Sequence, residues 1–197
     1  EPIFMRLAKY DSATGETVPR IADSFELLDN KKEFIVTIKE GLKFNNGDPI
    51  TVEDVKFSYE QYKAKENAHV GMRIFAIIDS IEIKDSKTLH FKMKFPYFNW
   101  KGFIRSEAAF IVPKKYYERV GPKGFAKKPV GSGAFRLVER SIGEGATYEA
   151  VENHAFSRPQ YKRLKLILAP DATVRVQMLK AGQADIVWGI PPQHFNE

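Results

Sequence analysis

Residues able to perform catalysis or bind a metal ion are few in this sequence, and their spacing suits neither role. The chain has no cysteine and four histidines, His69, His90, His154 and His194. No two of these histidines have the close spacing of a zinc-ligand pair. The run Gly131 to Gly133 lacks the glycine spacing of a nucleophile elbow and of a dinucleotide loop. The adjacent acids Glu53 and Asp54 fit a helix cap better than acid–base catalysis. We therefore predict that the protein is not an enzyme and has neither a cofactor nor a metal site.

The clearest charge feature is a basic segment at residues 114–128. It contains one glutamate and six basic residues, Lys114, Lys115, Arg119, Lys123, Lys127 and Lys128. Because the whole chain has a formal net charge of +6, the remaining residues are close to neutral. Aromatic residues interleave with the lysines, and such a pattern can bind phosphates and stack on bases. One interpretation is a basic interaction or nucleic-acid-binding module, and the alternative is an ordinary solvated surface helix.

The composition is that of a globular protein. Of the 197 residues, 43% are hydrophobic and 13% are aromatic, so the chain can bury a core. No apolar run approaches the roughly 20 residues that cross a bilayer. The chain begins with Glu-Pro-Ile-Phe and lacks the basic and apolar regions of a signal peptide, so we expect any signal peptide to lie outside this sequence.

A strand, a turn and a helix are predicted in succession between residues 34 and 62. Residues 34–38 have the period-two pattern of a strand with one buried face. The run 45–49 must turn, because asparagine and glycine tolerate left-handed backbone and proline ends a strand. Thr51 and Asp54 then form a capping pair at a helix start. Apolar side chains follow at helical spacing, namely Val52, Val55, Tyr59 and Tyr62.

Further elements follow from the same patterns. A strand is predicted at 3–10, residues 71–78 should return to the core, and Gly182 should end the last helix. The alternation in the first hairpin places His90 on the outer face as a surface histidine. The remaining predicted elements are hairpins over 81–95 and 135–152, strands at 164–168 and 184–189, and helices at 97–104, 115–120 and 174–180.

These motifs resemble those of the family 5 extracellular solute-binding proteins, the periplasmic receptors of peptide and nickel ABC importers. The signature region stands here as Ala22-Asp23-Ser24-Phe25, Lys39-Glu40-Gly41-Leu42-Lys43-Phe44, Gly47-Asp48-Pro49-Ile50-Thr51-Val52-Glu53-Asp54-Val55 and Phe57-Ser58. Residues 129–135, Pro-Val-Gly-Ser-Gly-Ala-Phe, resemble the family's Pro-x-Gly-Thr-Gly-Pro-Tyr, in which the glycines permit a tight turn where another segment approaches. Residues 170–189 resemble a family helix and the strand that leads from it to the hinge. Residues 153–156, Asn-His-Ala-Phe, depart from the family's Asn-Pro-x-Tyr.

The resemblance implies a mixed α/β (α+β) fold of the periplasmic-binding-protein type II kind. Residues 1–128 would form the extra small α+β domain of the family. Residues 129–197 would form part of the first lobe and lead to the hinge, and the second lobe would be absent from this sequence.

The resemblance also implies a function. The protein would be the substrate-binding component of an ABC importer, capturing a small peptide or similar solute outside the membrane and delivering it to the permease. We expect a periplasmic or extracellular monomer that binds no nucleic acid and reaches the membrane only through the permease or a lipid anchor. A fragment without the second lobe should bind the solute weakly or not at all, because ligand holds two lobes closed by contacting both.

Four residues are implied as cleft contacts, Arg105, Ser106, Trp188 and Gly189. Charged peptide ends favour a guanidinium group, and aromatic walls favour the rest of the ligand. Alternatives remain at this stage: Arg105 could form a surface salt bridge, and Trp188 could pack in a core or between lobes. Aromatic residues 97, 98 and 100 fit the core of the small domain better than a ligand wall.

Overall fold

The computed structural model describes residues 2–63, 75–106 and 109–192 and has the mixed α+β architecture that the sequence predicts. The strands in chain order are β1 Ala8–Tyr10, β2 Thr17–Pro19, β3 Ala22–Leu27, β4 Glu33–Ile38, β5 Ile78–Ile83, β6 Thr88–Met93, β7 Phe135–Ser141, β8 Gly145–Ala150 and β9 Arg163–Ile167. The helices are α1 Val52–Lys63, α2 Trp100–Ile104, α3 Lys114–Lys127 and α4 Ala172–Lys180. None of these described helices is both long and apolar enough to cross a membrane.

The described strands pair antiparallel and form three sheets. Strands β1 and β2 form a small ribbon. Strands β3 to β6 form a four-stranded sheet in the order β3-β4-β6-β5, and β7, β8 and β9 form a meander in that order. Helix α1 packs against β5 and β6 and also contacts α3.

The main core lies between the four-stranded sheet and α1, and aromatic rings fill it. Phe34 of β4 and Phe91 of β6 are register partners, and their rings stack with centroids 4.6 Å apart. Tyr59 of α1 meets Phe91 edge-on at 5.2 Å and lies 5.4 Å from Phe103 of α2. Such pairs stabilise a core beyond the effect of buried area alone. The predicted strand and helix patterns at 34–38 and 52–62 are therefore confirmed.

The helix start that the sequence predicts at Thr51 is confirmed. The Asp54 carboxylate, which caps α1, also caps a second helix, α3. Asp54 accepts hydrogen bonds from the Thr51 amide at 2.9 Å and from the Lys114 amide of α3 at 2.8 Å. Helix α3 is preceded by Pro113, which offers no side-chain acceptor. Burial raises the pKa of Asp54, and the hydrogen bonds from Lys114 and Thr51 oppose that rise. Ser58 of α1 adds a second bond to the segment that leads into α3, because its hydroxyl accepts a hydrogen bond from the Val112 amide at 2.9 Å.

Helix α3 is longer than predicted and consists of two halves. The sequence predicts a helix at 115–120, whereas the structure continues to Lys127 across a kink. Gly121 at the kink has a φ of 69° and a ψ of 171°, and Pro122 starts the second half. Proline is well tolerated at the first position of a helix, so the second half restarts there. The Tyr116 hydroxyl donates to the Lys128 carbonyl oxygen at 2.8 Å and ties the two halves together.

The second hairpin, β9 and α4 also agree with the sequence pattern. Asp171 caps α4 by accepting the Val174 amide at 2.9 Å. Gly182 follows the helix with a φ of 67°, the left-handed conformation that ends many helices. The boundary between residues 128 and 129 that the sequence suggests remains a prediction.

Further sequence predictions differ from the structure, among them the core position predicted for Phe98, which is 78% exposed. Residues 3–7 and 184–189 are not strands, because none of the described strands pairs with them and an extended segment without a ladder is not a sheet strand. His90 is not a simple surface residue, since its side chain is only 12% exposed and contacts Glu33 at 2.6 Å. Of the segment predicted to return to the core, 71–74 lie outside the described residues, whereas Phe75 and Ile78 are buried.

Candidate functional site

The turn after β4 and the glycine-containing loop 131–133 are in direct contact. The Asn45 amide donates to the Gly131 carbonyl oxygen at 2.7 Å. The Asn45 side-chain amide reaches the carbonyl oxygens of Gly133 at 3.2 Å and Phe135 at 3.3 Å. Two segments more than eighty residues apart are therefore fixed to each other by one asparagine.

The two glycines of this loop are required by a close backbone approach. The segment 2–3 lies against the loop, and the amide of Gly133 donates to the Ile3 carbonyl oxygen. A Cβ atom at Gly131 would overlap the carbonyl oxygen of Ile3, and one at Gly133 would overlap that of Pro2. The expectation that another segment approaches here is confirmed, and the approaching segment is the start of the chain.

His154 holds the same loop from the other side. Its Nε2 lies 3.0 Å from the Ser132 carbonyl oxygen, and its Nδ1 accepts the Phe156 amide at 3.4 Å. Burial lowers the pKa of His154. Hydrogen bonds to the backbone of Ser132 and Ser157 oppose that change, and the charge of Arg20 adds to it. Residues 153–156, which depart from the family motif, therefore contact the glycine-containing loop through His154.

Arg105 lies directly after α2 and points toward the β1–β2 ribbon. Its guanidinium donates to the Thr17 hydroxyl at 3.2 Å and lies 4.8 Å from the centre of the Tyr10 ring. The Arg6 guanidinium donates to the Arg105 carbonyl oxygen. The Tyr10 ring is 52% exposed. Among the described residues Arg105 forms no ion pair, and a guanidinium beside an exposed ring is suited to a carboxylate with an apolar neighbour.

Ser106 forms the turn that follows α2. Its amide donates to the Phe103 carbonyl oxygen at 3.2 Å, and its own carbonyl oxygen accepts the Ala109 amide at 2.9 Å. These bonds fix the backbone beside Arg105.

Trp188 and Gly189 lie beyond α4. The Trp188 side chain is 71% exposed, so it is not part of the core of this chain. The Gly189 carbonyl oxygen accepts a hydrogen bond from Arg175 at 2.8 Å. Arg175 also binds the carbonyl oxygens of Ala169 and Pro170, at 2.6 Å and 2.8 Å. One arginine of α4 thus ties the exposed segment to the loop before the helix.

The four predicted site residues fall into two groups of contacts. The contacts described for Arg105 are with residues of the ribbon and of α2, whereas those of Gly189 are with Arg175. Tyr10, Thr17 and Arg175 were not found by sequence reasoning, because nothing in their spacing marks them and only the fold brings them to the predicted residues.

Two of the recesses on the described surface are not lined by any of the four predicted residues. One, of about 700 Å³, follows β8 and the loop after it and is lined by polar and apolar atoms alike, with Arg136 and Glu149 paired at 2.6 Å. The other, of about 260 Å³, lies between the start of the chain, the end of α3 and β7–β8. Within the described residues no cluster of histidine and acidic side chains is suited to a metal ion. His69 and His194 lie outside the described residues.

The aromatic rings of the basic segment are half-buried and pack against neighbouring rings. Phe125 lies 6.1 Å from Phe4 and 5.0 Å from Tyr117, and Tyr117 also contacts Phe57 at 5.4 Å. These rings are engaged with neighbours, which removes the main observation that favoured base stacking.

Comparison with known proteins identifies the family. The profile of the bacterial extracellular solute-binding proteins, family 5 Middle, matches residues 16–197. The chain belongs to this family. The resemblance to the family 5 receptors of peptide and nickel importers is thereby confirmed, and the family consists of binding proteins of transport systems.

Three relatives illustrate the similarity and its extent. The dipeptide-binding protein of Escherichia coli is 22% identical over 207 residues, which cover 94% of this chain and 39% of the relative. The nickel-binding periplasmic protein of Escherichia coli is 23% identical over 192 residues, covering 95% of this chain and 36% of the relative. The solved structure of the oligopeptide-binding protein AppA of Bacillus subtilis, in complex with a nonapeptide, matches with a TM-score of 0.80 at 27% identity. It is matched over 92% of this chain and 37% of its own length.

This family 5 chain therefore has part of the type II periplasmic-binding-protein fold. It spans less than half the length of the relatives that it matches.

Proposed function

We propose that the complete protein containing this chain captures a small peptide, or a solute of similar size and polarity, outside the membrane. It would then deliver the solute to an ABC permease. The observation that carries this proposal is the family match over residues 16–197. Relatives named for dipeptide and oligopeptide binding support the peptide class. In this proposal the protein is a monomer, binds no nucleic acid, carries no cofactor and is not an enzyme.

The proposed mechanism is the closure of two lobes on the solute. A ligand shifts the equilibrium between the open and closed arrangements of the lobes only if it binds one more tightly than the other. A ligand that contacts both lobes binds the closed arrangement more tightly and so favours it. Residues 1–128 would form the extra domain, residues 129–197 would belong to the first lobe, and the second lobe would lie outside this sequence. The proposal is supported by the short coverage of the relatives, between 36% and 39% for the two Escherichia coli proteins.

The cleft contacts in this proposal are Arg105 with Ser106 and Trp188 with Gly189. The Arg105 guanidinium, beside the exposed Tyr10 ring, would bind the carboxylate end of a peptide. The exposed Trp188 ring would form an apolar wall, and the Ser106 hydroxyl and the Gly189 backbone would supply polar contacts.

Isothermal titration calorimetry of the complete protein with a panel of short peptides tests both the class of ligand and the residues. We expect Arg105→Ala and Trp188→Ala each to weaken the binding of a captured peptide by at least about tenfold, the usual effect of losing an anchoring side chain. Arg136→Ala and Phe98→Ala are matched controls, since both side chains are exposed and neither belongs to the proposed cleft. They should leave binding unchanged.

The titrations can contradict the class of ligand and the choice of cleft residues independently. If the complete protein binds no member of the panel, the peptide class is wrong. If it binds a peptide tightly and both cleft variants bind as well as the controls, the function stands and the site residues are wrong.

A further inference from the structure

The basic segment on α3 is not explained by solute capture. Among its side chains, Lys115, Arg119, Lys123 and Lys127 are all exposed. In the described part of the chain none of them forms an ion pair with a carboxylate. The positive charge of this face is therefore available to a partner.

The geometry of α3 arranges these charges in two pairs. Lys115 and Arg119 are four residues apart in the first half, and Lys123 and Lys127 are four residues apart in the second half. Side chains with that spacing lie on one face of a helix. The bond from Tyr116 to the Lys128 carbonyl oxygen holds the halves together across the kink, so both pairs belong to one connected surface, here called the α3 face.

Helix stability does not account for the charges. Like charges four residues apart repel each other. The first turn of α3 has lysines and no acidic residue, although the positive end of the helix dipole disfavours cations there. Lys127 in the last turn is favoured by the dipole, but interactions within the helix do not explain the four basic residues as a set.

The α3 face offers a binding partner positive charges and no large apolar anchor. In residues 114–128, all of which the structure describes, no large apolar side chain is among the exposed ones. Specific protein interfaces rely on aromatic and apolar anchors at their centre, and single-stranded nucleic acids rely on exposed rings for stacking. Phe125 and Tyr117 are packed against each other and against the body of the protein. A diffuse anionic surface needs neither kind of anchor.

We propose that the α3 face adsorbs to anionic phospholipid headgroups and so holds the protein close to a bilayer surface. This role is separate from solute binding. Each basic residue that reaches an anionic bilayer increases partitioning roughly fivefold, and added salt screens the effect.

Vesicle co-sedimentation of the complete protein tests the proposal. The probes are vesicles of phosphatidylcholine with about one third phosphatidylglycerol, and vesicles of phosphatidylcholine alone, each at low and high salt. We expect binding to the anionic vesicles only, and a loss of binding at high salt. The quadruple variant Lys115→Glu, Arg119→Glu, Lys123→Glu and Lys127→Glu should lose more than about tenfold in partitioning.

A matched control reverses four exposed lysines elsewhere, by the variant Lys43→Glu, Lys94→Glu, Lys162→Glu and Lys165→Glu. It has the same change in net charge and should retain most of the binding. Equal losses in the two variants would show an effect of net charge alone and would overturn the proposal. So would unchanged binding of the α3 variant, or tighter salt-matched binding to a DNA oligonucleotide than to the anionic vesicles.

A second α3 variant, with glutamine at the same four positions, keeps the test decisive if charge reversal impairs folding. It should lose binding in the same direction, and its thermal unfolding temperature should be no lower than that of the unmodified protein.

Discussion

At the scale of single residues, His154 is a side chain whose protonation state follows from its surroundings. A neutral ring with its proton on Nε2 satisfies both the Ser132 carbonyl oxygen and the Phe156 amide. A second proton on Nδ1 would displace the hydrogen bond from the Phe156 amide and would lie near Arg20, although the backbone of Ser157 favours the protonated ring. Burial, the largest effect, lowers the pKa of His154 below its ordinary value of 6.5.

We expect the free energy of unfolding to fall as the pH drops from about 7.5 to 5. In this window the unfolded chain takes up a proton at the ordinary histidine pKa, whereas the folded chain resists it until the lower pKa is reached. The unfolded state therefore binds more protons, and stability decreases with decreasing pH, by at most about 1.4 kcal/mol per pH unit for one proton. Urea unfolding of this chain across the pH range measures the slope.

His154→Gln removes the titrating group while keeping a donor for the Ser132 carbonyl oxygen. It should reduce the dependence of the free energy of unfolding on pH between about 7.5 and 5. Phe98→Ala is the control, because Phe98 is exposed and has no titrating group, and it should leave the slope unchanged. A slope that is identical in the His154 variant and the unmodified chain would contradict this account.

Residue patterns predicted the glycine loop only in part. Two glycines around a small hydroxyl residue indicated a close approach, because only glycine lacks a Cβ atom. The identity of the approaching segment could not be predicted, since the contact of Ile3 with Gly133 joins residues far apart in sequence. The same applies to Arg105, whose neighbours Tyr10 and Thr17 are brought to it by the fold alone.

At the scale of elements, the joint between α1 and α3 depends on one carboxylate. Asp54 accepts the amides of Thr51 and Lys114 and so caps two helices. A free amide at a half-buried helix start is costly, and Pro113 provides no substitute acceptor.

We expect Asp54→Ala to lower the free energy of unfolding by about 2 to 3 kcal/mol, because it removes one cap and leaves a second helix start unpaired. Asp171→Ala is the matched control, since Asp171 caps α4 alone and lies at an exposed site. It should cost about 1 kcal/mol. Chemical denaturation of the two variants compares them, and equal costs would show that the bond to Lys114 contributes nothing.

Elements with strong local signals were predictable, and those that depend on partners were not. The strand at 34–38, the helix starting after Thr51 and the helix ending before Gly182 each have a periodic pattern and a cap in the sequence. Residues 184–189 have an apolar pattern, but a strand also needs a neighbour, and none of the described strands pairs with them. The full length of α3 was missed because Gly121 and Pro122 read as an end, whereas the chain restarts a helix there.

At the scale of the whole molecule, exposure is uneven along the chain. The buried core comes mostly from residues 5–112. Many large exposed apolar side chains lie between residues 138 and 188, including Val138, Ile142, Leu168, Ile186 and Trp188. The chain also spans less than two fifths of the two Escherichia coli relatives. These observations support the view that solute capture is a property of the complete protein rather than of this part.

Calorimetric titration of one peptide panel into the complete protein and into the 197-residue chain tests that central claim most directly. We expect the complete protein to bind at least one peptide with a Kd of about 1 μM or tighter, and this chain to bind the same peptide at least about 100-fold more weakly. Equally tight binding by the chain alone would contradict the two-lobe account, and a complete protein that binds no peptide would contradict the proposed function itself.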